Sequence, residues 1–395
     1  MKILVFTTLY DMEARPDLLQ DTSAIHYLLK YLSQDNEIMV INTYINRKKY
    51  LYRYLNPHNL VQFFKDYSYV KDQIKVHLFE TQVVTGTYFH EIEWKWMEKR
   101  SGKILEKEKF VPDLVISHFP SFSYAYIDRL GFQCPKIAVL HFTDLAHADH
   151  RKAFVEGLRE KYDAVFCRSK GIYEHISKFQ LPNLREDIIY SGTIVPAQCE
   201  VKSFKNKKEF TILYAGKLIK RKNVDWIIRC LVRKKLSAFK LWVVGNGPEE
   251  GRLRALVKKY GVGTRVEFLG QVGREKVQEI MKDADIFCMP SVNETFGLVY
   301  LEAMACGCLT IGTRKEGIDG VIEDGRNGFL ISTEEELFEC IWSILTEKRK
   351  ENLERISQNA IRTGQEFSER NMSLRYFQLM KNEWEKWKKK EIQKR

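Results

Sequence analysis

Ten short apolar runs, each about one strand long and each followed by text of helical period, set the fold class of this chain before any other feature is weighed. In the first half they are "KILVFT", "EIMVINT", "PDLVIS", "KIAVLH" and "DAVFCRS"; in the second, "FTILYAG", "KLWVVG", "RVEFLG", "ADIFCMP" and "LTIGT". Most lack the polar alternation of a half-exposed strand, so a strand built from one is buried on both faces. Interleaved with helical segments such as residues 22–32, they predict parallel sheets flanked by helices, the βαβ arrangement. The charged, aperiodic stretch "AQCEVKSFKNKKEF" separates the two series near residues 195–209. At 395 residues the chain is long for one core. The expected division is a Rossmann-like domain over 1–195, a second over 196–370, and a basic helix over 371–395. Tyr376, Leu379, Trp384 and Trp387 give that helix an apolar side, which predicts docking back toward the first domain.

Charge and cysteine usage narrow the partners. A formal charge of +12 calls for a polyanionic partner or a crowded basic face. No zinc-finger, RNP-like or helix-turn-helix pattern accompanies it, so nucleic acid is not expected. Eight cysteines are scattered without C-x-x-C or zinc spacing, which predicts free thiols and no metal or disulfide framework. No apolar stretch approaches the roughly 20 residues that span a bilayer. The start, "MKILVFTTLYDMEARP", reads as a first strand rather than a signal peptide, and the expected compartment is the cytoplasm.

In open α/β sheets, ligands bind beyond the carboxyl ends of the strands. "FTILYAG" runs into Gly216, Lys217 and Lys222; "KLWVVG" runs into Asn246, Gly247 and Pro248; "ADIFCMP" runs into Ser291, Asn293 and Glu294, with a helix expected from about Phe296. The backbone N–H groups of Thr295, Phe296, Gly297 and Leu298 would open that helix and attract phosphate oxygens. Glu302 falls about two turns after the opening, on the face of its first turn. A carboxylate on each side of a diphosphate suits hydroxyl-bearing groups, since each accepts from two vicinal hydroxyls. Spacing alone equally allows Glu294 as a helix cap and Glu302 as a solvated acid.

The combined text resembles the retaining GT-B glycosyltransferases of the GT4 type, which build bacterial surface polysaccharides. Glu294 and Glu302 match the E-x7-E motif within "SVNETFGLVYLEAMACG". "VVGNGPEEGRLRALVKKYGVGTRVEFLGQV" matches the glycine-proline turn, helix and strand, and "EGIDGVIEDGRNGFLI" the segment closing the nucleotide domain. The resemblance covers residues 210–335 strongly and the first half in outline. It implies two Rossmann-like domains facing a cleft, with a C-terminal helix crossing back. It also implies metal-independent transfer of a sugar from a UDP- or GDP-type donor, with no cofactor, to a saccharide or lipid-linked acceptor. Glu294 would hold donor-sugar hydroxyls, Glu302 the ribose, Lys217 and Lys222 the leaving diphosphate, and Gln271 with Val272 the base. His118 is the first candidate for the histidine beside the donor sugar; His141 and Asp144 follow. The sequence departs from the pattern at Lys217, where arginine is usual, and at Asn223, where glycine is usual. It departs again at Asp21, Thr22 and Ser23, which stand where a glycine pair is expected, so Thr22 and Ser23 become acceptor-side candidates. Residues 45–75 interleave bases with aromatics and predict a surface helix able to meet an anionic membrane at its inner face. Among rivals, a nicotinamide enzyme needs G-x-G-x-x-G, which "GNGPEE" breaks at Glu250. A sugar-nucleotide epimerase of similar fold and a non-catalytic subunit supporting an active partner remain.

Overall fold

The computed structural model describes residues 1–10, 24–45, 66–81, 91–196, 199–205, 207–233, 236, 238–294, 296–347 and 350–394. The chain forms two compact units: Met1–Arg168 with Ile172–Gly192 and Arg370–Arg395, and Thr193–Glu369 with Ser169–Gly171. Thr193, Ile194 and Val195, expected in the first domain, belong to the second unit.

The first unit is an eight-stranded sheet of β1 (Lys2–Thr7), β2 (Glu37–Ile45), β3 (Tyr67–Lys71), β4 (Ile74–Thr81), β5 (Leu114–His118), β6 (Lys136–Leu140), β7 (Ala164–Cys167) and β8 (Leu184–Ile188). Its spatial order is β3-β4-β2-β1-β5-β6-β7-β8, parallel except for the antiparallel pair β3 and β4. Ile3, Leu4, Val5 and the β5 and β6 apolar residues are fully enclosed, as strands covered by helices on both faces must be. The β3–β4 hairpin corrects the helix expected over residues 45–75, of which 46–65 lie outside the described residues. Its turn places Asp72 and Gln73 at φ 47° and 63°, a left-handed pair suited to the twist of a tight hairpin. The helix Glu369–Gln393 contributes Tyr376 and Met380 to the core of this unit, and Ser373 Oγ donates to the Leu28 carbonyl at 2.8 Å. Arg185 clasps Glu383 on it through two bonds of 2.9 and 2.7 Å.

The second unit is a six-stranded parallel sheet ordered β11-β10-β9-β12-β13-β14. Its strands are β9 (Phe210–Ala215), β10 (Phe239–Val244), β11 (Val266–Gly270), β12 (Ile286–Cys288), β13 (Leu309–Thr313) and β14 (Phe329–Ile331). Chain order runs outward from β9 to β11, then restarts on the other side of β9 with β12. The carboxyl ends of β9 and β12 therefore flank the topological switch point, where such sheets open a crevice. The unit's own ends are laced together: Thr193 N–H donates to the Phe367 carbonyl, and Glu369 N–H to the Thr193 carbonyl, both at 3.0 Å. All eight cysteines are free thiols. Among the described residues, no helix is long and apolar enough to cross a membrane.

Candidate functional site

Backbone hydrogen bonds tie the strand ends of the second unit into a rim. Gly216 N–H donates to the Val244 carbonyl at 3.0 Å, Gly245 N–H to Gly270 at 2.7 Å, and Leu218 N–H to Asn246 at 2.7 Å. The lacing demands glycine at position 245. Its φ is +125°, and a Cβ there would lie 2.0 Å from the Gly216 carbonyl oxygen. Asn223, also left-handed at φ 49°, closes the basic loop and bonds the Pro290 carbonyl through Nδ2 at 2.9 Å. Asparagine is the residue besides glycine that enters this region most readily, which accounts for the departure seen in sequence.

Beyond these ends lies a cavity of about 630 Å³ lined by Gly216, Lys217, Lys222, Asn246, Gln271, Val272, Gly297 and Glu302, together with Arg274, Met289 and neighbouring apolar groups. Eight residues singled out from sequence thus share one crevice. Gly247, Pro248, Glu294, Phe296 and Leu298 are not among its lining. Gly247 packs under the Leu218 backbone, Pro248 is exposed, and Phe296 is buried. The helix expected from Phe296 runs from Leu298 to Ala305, with left-handed Gly297 (φ 76°) as its N-cap. Thr295, Thr22 and Ser23 lie outside the described residues.

The two lysines differ. Lys217 is exposed and makes no ion pair among the described residues. Lys222, in text that reads as a solvated charge run, is buried, with Nζ on Glu294 Oε2 and 3.4 Å from Met289 Sδ. Glu294 also accepts from Ser291 Oγ at 3.0 Å, lies 3.6 Å from Arg221, and receives no helix-capping role. Its backbone N–H donates to Glu316 at 2.7 Å. Glu302 is buried rather than solvated, and its Oε1 accepts from Arg274 Nη2 at 2.7 Å and Thr193 Oγ1 at 3.0 Å. Neither Arg274 nor Thr193 was singled out from sequence.

The strand-end histidines lie in the first unit, enclosed. His118 is 1% exposed; Nδ1 meets His141 Nε2 at 3.0 Å and Nε2 meets the Tyr376 hydroxyl at 3.1 Å. His141 is buried and stacks on Phe119 at 3.7 Å between ring centres. Burial, with the nearby Arg168 guanidinium, holds both imidazoles well below their ordinary pKa. Asp144 accepts from the backbone N–H groups of His141 at 2.7 Å and Ser121 at 3.1 Å, and burial pushes its carboxyl up to about 6. Within this unit all three are internal groups, fastened to one another and to the backbone.

Two doubly wound parallel sheets, the second carrying a strand-end crevice edged by glycine, lysine and glutamate, define a GT-B architecture. The structure aligns with Anabaena HepE, solved in complex with UDP, at a TM-score of 0.68 and 16% identity over 97% of this chain and 100% of that one. Residues 198–363 match the family of glycosyl transferases group 1. Over those residues the chain is similar to that group, and the relatives it matches point the same way. N-acetyl-alpha-D-glucosaminyl L-malate synthase of Bacillus anthracis is 27% identical over 277 residues, 63% of this chain and 71% of that protein. The lipopolysaccharide core biosynthesis glycosyltransferase LpsE of Rhizobium meliloti is 29% identical over 171 residues, 43% of this chain and 49% of LpsE.

Proposed function

We propose that the chain is a retaining, metal-independent glycosyltransferase that moves a sugar from a UDP-type donor to a hydroxyl of a saccharide or lipid-linked acceptor in surface polysaccharide synthesis. The observation that carries the donor reading is the crevice at the β9–β12 switch point. It sets cationic Lys217 and Lys222 and the carboxylate of Glu302 around one space of about 630 Å³, a size that suits a small ligand. HepE binds UDP in the same fold, and LpsE acts in lipopolysaccharide core biosynthesis; these favour the base and the pathway class.

In this reading the diphosphate lies against Lys217 and Lys222 and the ribose against Glu302. As the bond from the anomeric carbon to the β-phosphate oxygen breaks, negative charge gathers on that phosphate. Preplaced ammonium groups stabilise it, and one such donor is worth roughly 10²–10³ in rate. The acceptor oxygen bonds to the anomeric carbon on the face the phosphate leaves, and its proton passes to the departing phosphate. Glu294 starts out paired with Lys222, so donor phosphate competes for that ammonium and frees the carboxylate toward sugar hydroxyls. A panel of UDP-, GDP- and ADP-sugars read by thermal shift tests the donor, and donor hydrolysis by the isolated protein tests the chemistry. Stabilisation by UDP-sugars and hydrolysis lost in Glu294→Ala are the expected results. No stabilisation by any of the three, or hydrolysis indifferent to Glu294→Ala, overturns the proposal.

A further inference from the structure

A carboxylate accepts through both oxygens, yet Glu302 commits only one to the protein. Oε1 takes Arg274 Nη2 at 2.7 Å and Thr193 Oγ1 at 3.0 Å, and Arg274 Nη2 also reaches Thr193 Oγ1 at 2.7 Å. The hydroxyl donates to the carboxylate and accepts from the guanidinium, so two mutually bonded donors close on a single oxygen. Oε2 has no hydrogen-bond partner among the described residues, and Glu302 and Arg274 both line the cavity. The glutamate χ3 torsion is broad when nothing restrains it. Pinning Oε1 fixes the carboxylate plane before any ligand arrives, which lowers the ordering cost of binding. The guanidinium also offsets the cost of burying this charge, a cost that an unpaired carboxylate carries in full.

We infer that Arg274 is a positioning residue for the donor nucleotide: with Thr193 it holds Glu302 so that Oε2 faces the cavity, which makes the site select a ribose diol over a deoxyribose. The inference rests on the donor reading above and adds a selectivity and its source. Arg274 acts through Glu302, so its signature is a change in the ratio of ribose to deoxyribose affinity, which a general weakening of the fold does not produce.

The test is isothermal titration of the full-length chain with UDP and with 2′-deoxy-UDP, in the unmodified protein and in Arg274→Gln, Arg274→Lys, Thr193→Val and Glu302→Gln. A hydrogen bond to a charged group corresponds to about a 10- to 100-fold preference for UDP in the unmodified protein. Arg274→Gln weakens UDP by about that same 10- to 100-fold factor, leaves 2′-deoxy-UDP unchanged and brings the ratio close to one. Thr193→Val reduces the ratio partly, and Arg274→Lys, which keeps the charge but loses the planar fork, restores part of it. The inference is overturned if Arg274→Gln keeps the wild-type ratio, or if it weakens both nucleotides equally while melting as the unmodified protein does. A separate failure belongs to the donor reading: absence of UDP binding, or of any ribose preference, in the unmodified protein overturns that reading and this inference with it. A ratio lost in Glu302→Gln but kept in Arg274→Gln sinks the inference alone.

Discussion

Replacing Lys222 by methionine should destabilise the second unit measurably even with no donor present. Lys222 and Glu294 pair with side chains each only 11% exposed. Without the ammonium, Glu294 keeps one hydroxyl bond from Ser291 at 3.0 Å and an arginine, Arg221, at 3.6 Å whose side chain is 40% exposed. Removing one partner of a buried pair costs about 3–5 kcal/mol. The half-solvated Arg221 recovers part of that, so the lower end, about 3 kcal/mol, is the expected loss. For a unit of this size each kcal/mol shifts the midpoint by about 2–4 °C, so the fall is about 6–12 °C by calorimetry of the unliganded chain. The double variant Lys222→Met with Glu294→Gln removes the stranded charge and should recover to within about 1 kcal/mol of the unmodified protein, a coupling that separated residues do not show. Activity should not return with stability, since on the proposed reading both groups act on the donor and both are gone. A single variant melting within about 2 °C of the original, or a double variant as unstable as the sum of the singles, refutes the reasoning.

Lys217→Ala should leave stability within about 0.5 kcal/mol, since the side chain is exposed and unpaired among the described residues, yet weaken UDP binding about tenfold by titration. Gly245→Ala should disrupt the rim, because its Cβ would lie 2.0 Å from the Gly216 carbonyl; loss of UDP binding with a melting point lowered by several degrees is the expected result. Acid should weaken the first unit. His118 and His141 are held well below their ordinary pKa, so the unfolded chain takes up protons below about pH 6.5 while the native state does not. Their contribution is complete above about pH 6.5 and drains below it, by up to about 2.7 kcal/mol per pH unit for the pair. Asp144, raised to about 6, acts oppositely: its contribution is full below the unfolded value and is lost as pH rises toward 6, so the net slope is shallower below that point. Melting curves from pH 8 to 5 should steepen below about 6.5, with a smaller slope in His141→Gln.

Sequence pattern reaches far into this fold where burial is two-sided. "KILVFT" and "LTIGT" coincide with β1 and β13 because an unbroken apolar run between helical segments has few other uses. The β3–β4 hairpin escaped because Asp72–Gln73 lacks the Asn-Gly signal of its turn, and aromatic residues between lysines look alike on a strand and a helix. In the site, glycines and strand-end lysines are local features and show in the text. Pairings across the chain do not. Arg274 and Thr193 lie 28 and 109 residues from Glu302. Tyr376 lies 258 residues from His118, whose Nε2 its hydroxyl meets. Nor does a charge run reveal which lysine turns inward, as Lys222 does and Lys217 does not.

The bridge of Thr193 to Phe367 and Glu369 has a consequence for the order in which the protein is made. Residues 193–369 form one uninterrupted length whose beginning and end meet, so they hold everything their own sheet requires once the ribosome has passed them. The other unit is split around that insert, and its core waits for Tyr376 and Met380 from the last helix. Domains generally mature in the order of synthesis; here the half that emerges first is completed last.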